Sequence, residues 1–364
     1  MTGFCRRWLR LIDCLIDFRP KNILIIRLSA IGDIIMASAL IPALSEAYPE
    51  ARLTWLTEEV NVDLLQGNPR LDKIVVWPRQ RWRKLRREGH YLLLFREVRA
   101  FVRELRQPGF DLVLDMQGLL KSAVWAYFSG CKTRIGLGSR EGSQWLMTQT
   151  LDTRTETPRI GGEYLKLANA LGAAPKHFDM DIKPAEGTRR EVSELLADSG
   201  INGDFVVLCP FTTRPQKHWF EERWAELARR FADGRGLQVI MLGGPGDKES
   251  ADRIAASAPE LVNLTGRTNL IQCASIIDRA VLVVGVDTGL THLGTAMKTP
   301  TLALFGSTRP YLDTGFDRAK VLYEALPCSP CKRHPTCEGR FDCMKLHTVE
   351  KILAETTKLL ETDT

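Results

Sequence analysis

Four short segments of this 364-residue chain carry side chains suited to chemistry, and each follows an apolar run of strand-like composition. The first, Ser29-Ala-Ile-Gly-Asp33, offers one carboxylate at the mouth of its strand, where it can take a proton from an incoming hydroxyl. An aspartate ahead of an apolar helix is also an ordinary N-cap, and both readings stand at this point. The second, Pro210-Phe-Thr-Thr-Arg-Pro-Gln-Lys-His-Trp219, places the hydroxyls of Thr212 and Thr213 ahead of the Lys217 ammonium and a helix start, which suits a phosphate group. In the third, Met241-Leu-Gly-Gly-Pro-Gly-Asp-Lys-Glu249, Gly244 lets the backbone approach a ligand, although a plain tight turn uses the same residues. The fourth is Val283-Val-Gly-Val-Asp-Thr-Gly-Leu-Thr-His292. There Thr288 and Gly289 open a helix toward a pyrophosphate, Asp287 can bind a ribose or sugar hydroxyl, and His292 follows one turn later. Taken singly, His292 reads as a capping or lining residue. Three phosphate-suited loops in one half of the chain together point to nucleotide binding.

Two chemistries are set aside. The Ser29–Asp33 loop has one glycine and not Gly-x-Gly-x-x-Gly, so the nicotinamide and flavin fingerprint is missing there. Asp179-Met-Asp181 has the spacing of a divalent-metal motif but falls in a linker, away from strand ends. A metal-independent reaction is therefore expected, with Lys217 and helix N-termini in the place of a cation.

The elements that position these loops alternate between strand and helix, the α/β pattern. Strands are predicted at 22–27, 52–56, 73–77 and 111–115, with a loop over 28–33 leading into one helix through Leu44 and further helices near 91–106, 117–128 and 160–172. From Gly172 to Gly187 two prolines and two glycines mark a linker. The alternation then restarts, with strands at 205–209, 237–242, 261–264, 281–285 and 301–305 and a last helix from Thr348 to Leu360. The expected division is an extension over 1–20, a domain over 21–180, a second over 181–347 and a terminal helix over 348–364. Two doubly wound units imply a cleft between them, with ligands at the carboxyl ends of the strands.

Composition narrows the classes. Hydrophobic residues at 44% and charged residues at 26% exclude a disordered chain, and no apolar run is long enough to span a bilayer. Asp13 and Asp17 interrupt the apolar core that a signal peptide needs, so the first twenty residues read as an amphipathic helix, either packed on its own domain or laid on a membrane surface. A reducing cytosol then makes disulfides unexpected. The net charge of +6 concentrates between Arg79 and Arg106, where ten basic residues face three glutamates. A solvated helix face explains Arg96 to Arg106; the knot Arg81-Trp-Arg-Lys84 suggests a polyanionic partner. Cys328, Cys331, Cys337 and Cys343 fall within sixteen residues, but without the paired spacing of a zinc ribbon. They read as a reduced, packed loop, with a structural zinc as the alternative.

Taken together, Ile25-Ile-Arg-Leu-Ser-Ala-Ile-Gly-Asp-Ile34, Phe211-Thr-Thr-Arg-Pro-Gln-Lys-His-Trp219 and Val286-Asp-Thr-Gly-Leu-Thr-His-Leu293 resemble the signatures of glycosyltransferase family 9, the bacterial heptosyltransferases. The resemblance runs from about Asn22 to about Lys351. Glu58-Glu59, Arg81–Lys84, Asp115-Met-Gln-Gly-Leu-Leu-Lys-Ser122 and Ser139-Arg-Glu141 are most similar to the branch that adds the first heptose to Kdo, the acidic sugar on lipid A. It implies the GT-B fold of two Rossmann-like domains facing across a cleft, an inverting mechanism and peripheral attachment to the cytoplasmic face of the inner membrane. It further implies ADP-heptose as donor, no required cofactor, Asp33 as base, and Thr212, Thr213 and Lys217 on the diphosphate. Asp287, Thr288, Gly289 and His292 would bind the sugar nucleotide, and Arg81, Arg83, Lys84 and Arg140 would face the Kdo carboxylates. Gln80 departs from that branch where it often has another arginine, and Thr268 replaces a larger apolar residue near the adenine. The cysteine-rich loop is more similar to the branch acting second.

Two rival readings remain. A sugar-nucleotide epimerase leaves the basic knot without a purpose. A basic, zinc-containing nucleic-acid-binding protein leaves the three nucleotide loops without one, and nucleic acid is not an expected partner.

Overall fold

The computed structural model describes residues 19–155, 158–331 and 334–361. The amphipathic extension predicted over 1–20 lies outside them except for Arg19 and Pro20. The chain divides into two compact units at Asp181, and Ile160 groups with the second unit, its N–H donating to Asp313 O at 2.8 Å.

The first unit runs β1 (Asn22–Ile26), α1 (Ile31–Ala37), α2 (Leu40–Ala47), β2 (Arg52–Glu58), α3 (Val62–Leu65), β3 (Lys73–Trp77), α4 (Arg79–Arg87), α5 (Tyr91–Arg106), β4 (Leu112–Asp115), α6 (Leu120–Phe128), β5 (Thr133–Leu137), β6 (Gln149–Leu151) and α7 (Gly162–Ala170). The second runs α8 (Glu186–Asp198), β7 (Phe205–Cys209), α9 (Glu221–Arg235), β8 (Gln238–Met241), α10 (Lys248–Ser257), β9 (Leu261–Asn263), α11 (Leu270–Arg279), β10 (Leu282–Val286), α12 (Gly289–Ala296), β11 (Thr301–Phe305), β12 (Ala319–Tyr323), α13 (Asp342–Lys345) and α14 (Val349–Glu361).

Each unit holds one wholly parallel sheet of six strands. Their orders, β3-β2-β1-β4-β5-β6 and β12-β11-β10-β7-β8-β9, are the same winding. Both are α/β Rossmann-like sheets. Parallel strands need crossovers that cover both faces, so central strands are continuously apolar. Ile23, Leu24, Ile25 and Ile26 of β1 are all fully buried, as are Leu282, Val283, Val284 and Val286 of β10. The order in which strands are added reverses between β1 and β4 and between β7 and β10, and ligands of such sheets bind at that switch point. The loops after these four strands therefore frame both candidate sites.

The single helix expected through Leu44 is two helices. A continuous helix would carry Pro42 in its interior, where it lacks an N–H and clashes with the preceding turn. Restarting at Leu40 moves Pro42 into a first turn, whose N–H groups have no intrahelical partner anyway. Ser38, in the break, donates to Ile35 O at 2.6 Å and accepts the Asp181 N–H at 2.8 Å.

The basic knot sits on α4 because α4 is amphipathic. Trp82 and Leu85 are buried, and the Trp82 ring lies 5.4 Å from Phe101 and 5.7 Å from Trp125. Burying that face turns Arg83, Lys84, Arg86 and Arg87 outward. The last helix is part of the second core: Val349, Ile352 and Leu359 pack with Val206, Phe231 and Leu302.

Candidate functional site

In the second unit, β7 and β10 pair with Gly285 opposite Cys209. A Cβ on Gly285 would stand 2.1 Å from Thr291 Oγ1 and 2.8 Å from Cys209 Cβ, so only glycine lets α12 fold back onto its strand. That close approach brings Asp287, Thr288 and His292 beside the loop after β7.

Asp287 is the centre of this cluster. Its Oδ2 lies 2.5 Å from Lys217 Nζ and accepts the Thr308 hydroxyl at 2.6 Å. Its Oδ1 is 3.6 Å from His292 Nε2. Lys217 Nζ and the Thr212 hydroxyl both donate to the Asp287 carbonyl at 3.4 Å. Burial pushes the Asp287 carboxyl up, but His292 and Lys217 outweigh it and hold it well below the usual carboxylate range. His292 Nδ1 meets Tyr311 OH at 2.8 Å. Burial keeps the Tyr311 phenol protonated far above its usual range, so it can donate to Nδ1 while Nε2–H faces Asp287.

Of the residues expected here, Thr212, Lys217, Asp287 and His292 come together. Thr288 caps α12 in extended geometry, and Gly289 opens that helix. Thr213 is exposed on the same loop. Gly244 lies outside the cluster, its N–H bound to Asp247 Oδ2 at 2.8 Å. The crowded glycine of that loop is Gly243, whose Cβ would lie 2.5 Å from the Phe211 ring. Sequence reasoning missed Thr308 and Tyr311; the Gly306-Ser-Thr308 turn after β11 was their signal.

In the first unit, Asp33 is neither in a loop nor the N-cap. Ala30 caps α1, and Asp33 stands three residues in, its Oδ2 accepting the Ala30 N–H at 3.2 Å. The same oxygen is ion-paired with Arg27, a buried guanidinium at the end of β1 that also donates to the Met116 carbonyl. Strand pairing of Ile26 with Asp115 sets these two loops side by side. Glu163 and Tyr164 of α7 also feel the Arg27 and Asp33 charges, and burial pushes both of their acids up.

A second polar group joins this loop. Lys121 Nζ and Gln117 Nε2 donate to Ser29 Oγ at 3.3 and 3.2 Å. Glu58 accepts from Arg79 at 3.1 Å and lies 3.6 Å from Lys121. Burial lowers the affinity of Lys121 for its proton, against the pull of Glu58.

The four basic residues expected at the acceptor differ in state. Arg81 is held by Glu97 in a bidentate pair, Nε–Oε2 3.0 Å and Nη2–Oε1 2.6 Å, among its contacts. Arg83 and Lys84 are exposed on α4. Arg140 follows β5, with its N–H on the Gly118 carbonyl at 2.7 Å and its side chain exposed.

Asp181 of the Asp-x-Asp pattern is buried, accepts Asn68 Nδ2 at 2.8 Å and pairs with Arg70 at 3.0 Å, a structural role. Cys328, Cys331, Cys337 and Cys343 are free thiols, and burial pushes those of Cys331 and Cys343 up. Among the described residues no group of three or more His, Cys, Asp or Glu is placed to hold a metal. Thr268 Oγ1 contacts Cys273 Sγ at 3.1 Å.

The sequence model of glycosyltransferase family 9 (heptosyltransferase) matches residues 98–341. The chain is 31% identical over 326 residues to lipopolysaccharide heptosyltransferase 1 of Pseudomonas aeruginosa, covering 88% of this chain and 90% of that protein. Its fold is similar to the crystal structure of the family 9 glycosyl transferase from Veillonella parvula, with a TM-score of 0.77, 22% identity, and 93% and 97% of the two chains covered. It is also similar to Escherichia coli ADP-heptose lps heptosyltransferase II, with a TM-score of 0.75, 23% identity, and 94% and 99% covered.

Proposed function

The chain belongs to glycosyltransferase family 9, the heptosyltransferases, and from that premise we propose that it transfers heptose from ADP-heptose to Kdo on lipid A, with inversion and without a metal ion. The observation that carries this reading is the convergence of Lys217, Thr212, Thr308 and His292 on Asp287 at the switch point of the second sheet. An ammonium and hydroxyls at strand ends suit the oxygens of a diphosphate. When they turn to it, the Asp287 carboxylate is released toward a sugar hydroxyl.

In the proposed reaction Asp33 accepts the proton of a Kdo hydroxyl as its oxygen attacks the anomeric carbon of heptose. The bond from that carbon to the diphosphate oxygen breaks, and ADP leaves with its charge met by Lys217 and the backbone N–H groups at Thr288 and Gly289. A single displacement inverts the anomeric centre. Arg27 acts on Asp33 as a positioning residue, since their ion pair fixes the carboxylate's orientation. Arg83, Lys84 and Arg140 face the Kdo carboxylates. Arg81 joins them only if its pair with Glu97 opens. The acceptor's lipid places the enzyme peripherally on the cytoplasmic face of the inner membrane, in lipopolysaccharide inner-core synthesis. The likeness to lipopolysaccharide heptosyltransferase 1 of Pseudomonas aeruginosa supports this step over the second heptose addition.

Incubation of the purified protein with ADP-heptose and Kdo-lipid A should release ADP and give a product of inverted anomeric configuration, undiminished by a chelator. Retained configuration, or activity that a chelator removes and a divalent cation restores, would overturn the mechanism. Release of a different nucleotide in place of ADP would change the donor.

A further inference from the structure

Helix α5 (Tyr91–Arg106) carries large exposed apolar side chains in addition to its buried stripe. Leu94, Val98, Phe101, Val102 and Leu105 recur at helical spacing and pack into the core of the first unit. Tyr91 begins that stripe at the helix N-terminus but is 64% exposed; Leu92 and Phe95 lie along the neighbouring face, 84% and 59% exposed, and Leu93, 42% exposed, falls farther round the helix. The water-exposed start of a helix has no physical reason to carry four large apolar residues in one turn and a half. The cations around them are as specific. Arg96, Arg99 and Arg103 continue the outer face and are exposed, and the Arg99 guanidinium stands 5.6 Å over the Phe95 ring. Arg86 and Arg87, at the end of α4, are exposed just before the turn that leads into Tyr91.

We propose that this face of the α4–α5 hairpin is a docking surface for an anionic lipid bilayer, with Leu92 and Phe95 entering the interface and the arginines engaging phosphate headgroups. The inference deepens the reading above, because it names the surface by which the enzyme would meet a lipid-borne acceptor. Three occupants compete for such a face. A second copy of this chain would set arginine against arginine. A nucleic acid would satisfy the arginines but leave Leu92 and Leu93 in water. A bilayer with anionic lipid is complementary to both, with apolar side chains at the acyl boundary and cations at the headgroups. The two clusters also lie on rigid helices anchored by Trp82, Phe101 and Leu105, so no ordering is needed at contact.

The test is sedimentation of the full chain with phosphatidylcholine vesicles, with and without a fraction of phosphatidylglycerol. The wild type should partition to the phosphatidylglycerol vesicles, and less so as salt rises. The pair Leu92→Ser with Phe95→Ser should lower partitioning by about tenfold or more, as the loss of two buried apolar side chains requires. The pair Arg96→Glu with Arg99→Glu should abolish the preference for phosphatidylglycerol. All four positions are exposed, so thermal unfolding should match the wild type, and either pair tests the face if the other misfolds. Transfer to a water-soluble, deacylated Kdo acceptor should be unchanged in both pairs, while transfer to acceptor embedded in vesicles falls. Binding retained in both pairs, or no vesicle binding by the wild type, overturns the docking surface. Failure of the wild type to use the soluble acceptor overturns the proposed reaction and leaves the vesicle result standing. Equal binding to a nucleic-acid duplex that these variants also lose would assign the face to that partner instead.

Discussion

Lys217 Nζ stands 2.5 Å from Asp287 Oδ2, two side chains seventy residues apart in sequence that meet because β7 and β10 are neighbours in the sheet. The ammonium proposed for the diphosphate and the carboxylate proposed for the sugar are therefore each other's partners. A donor that carries both groups can take the two partners at once, exchanging one ion pair for a charged contact and a hydrogen bond. A free phosphate takes Lys217 and leaves Asp287 with only the Thr308 hydroxyl and His292 as partners. On the proposed assignment, the whole donor should bind better than its fragments.

Lys217→Met should weaken ADP binding by about 10- to 100-fold, the value of a hydrogen bond to a charged group. Calorimetric titration with ADP measures it. Because Asp287 loses its ammonium, the variant should also unfold more easily, by roughly 1–3 kcal/mol in urea. An ADP affinity equal to wild type would remove Lys217 from the diphosphate site.

Asp33→Asn should lower kcat by roughly 100- to 10,000-fold while the KM for ADP-heptose stays near wild type, as loss of a general base requires. The asparagine can still accept the Ala30 N–H, so the turn is kept, but Arg27 loses a charged partner. Thermal unfolding of the same variant separates that structural cost from the catalytic one. A variant as active as wild type would leave Asp33 as a helix-turn residue only.

Lys121→Met should raise the KM for the acceptor roughly tenfold and leave the donor KM unchanged, the loss of one charge-assisted contact. Its Nζ reaches Ser29 in the same loop that leads to Asp33, whereas Glu58 keeps Arg79 as a partner in the variant. Steady-state kinetics with each substrate varied in turn checks it, and an unchanged acceptor KM would confine Lys121 to holding Glu58.

Asp115 gives a pH signature. Its carboxyl is fully buried at the end of β4 and pushed up to about 6 by burial, against the lowering effect of the Ser122 hydroxyl and the Gln117 and Gly118 N–H groups. The raised folded-state value means the native protein binds this proton more tightly than the unfolded chain. The group therefore contributes stability below about pH 4, and that stability is lost as pH rises through about 6, by roughly 3 kcal/mol over two units. Asp115→Asn keeps an acceptor for the two N–H groups and removes the titration. Urea unfolding from pH 4 to pH 8 should show this slope in the wild type and its loss in the variant.

The alternation of elements, the two-unit winding and most strand positions were legible in the sequence, because strands covered on both faces must be continuously apolar and Asn22–Ile26, Phe205–Cys209 and Leu282–Val286 are. Strands β5, β6 and β12 were not expected. They lie toward the sheet edges, where partial exposure admits Thr133, Arg134, Gln149 and Lys320 and blurs the apolar run. The loops that hold Thr212, Lys217, Asp287 and His292 were also legible, since hydroxyl, ammonium and carboxylate types between a strand and a helix imply their chemistry locally. Which partner each side chain takes was not, because partners are set by strand order and register, contacts between residues far apart in the chain. Sequence alone made Asp33 a loop acid or an N-cap. The fold moved it into the first turn of α1 and set it against Arg27, because β1 delivers the guanidinium to the place where that turn begins. It likewise tied Arg81 to Glu97 while leaving Arg83 and Lys84 free on the surface, a distinction among three neighbours that only the packing of α4 on α5 could decide.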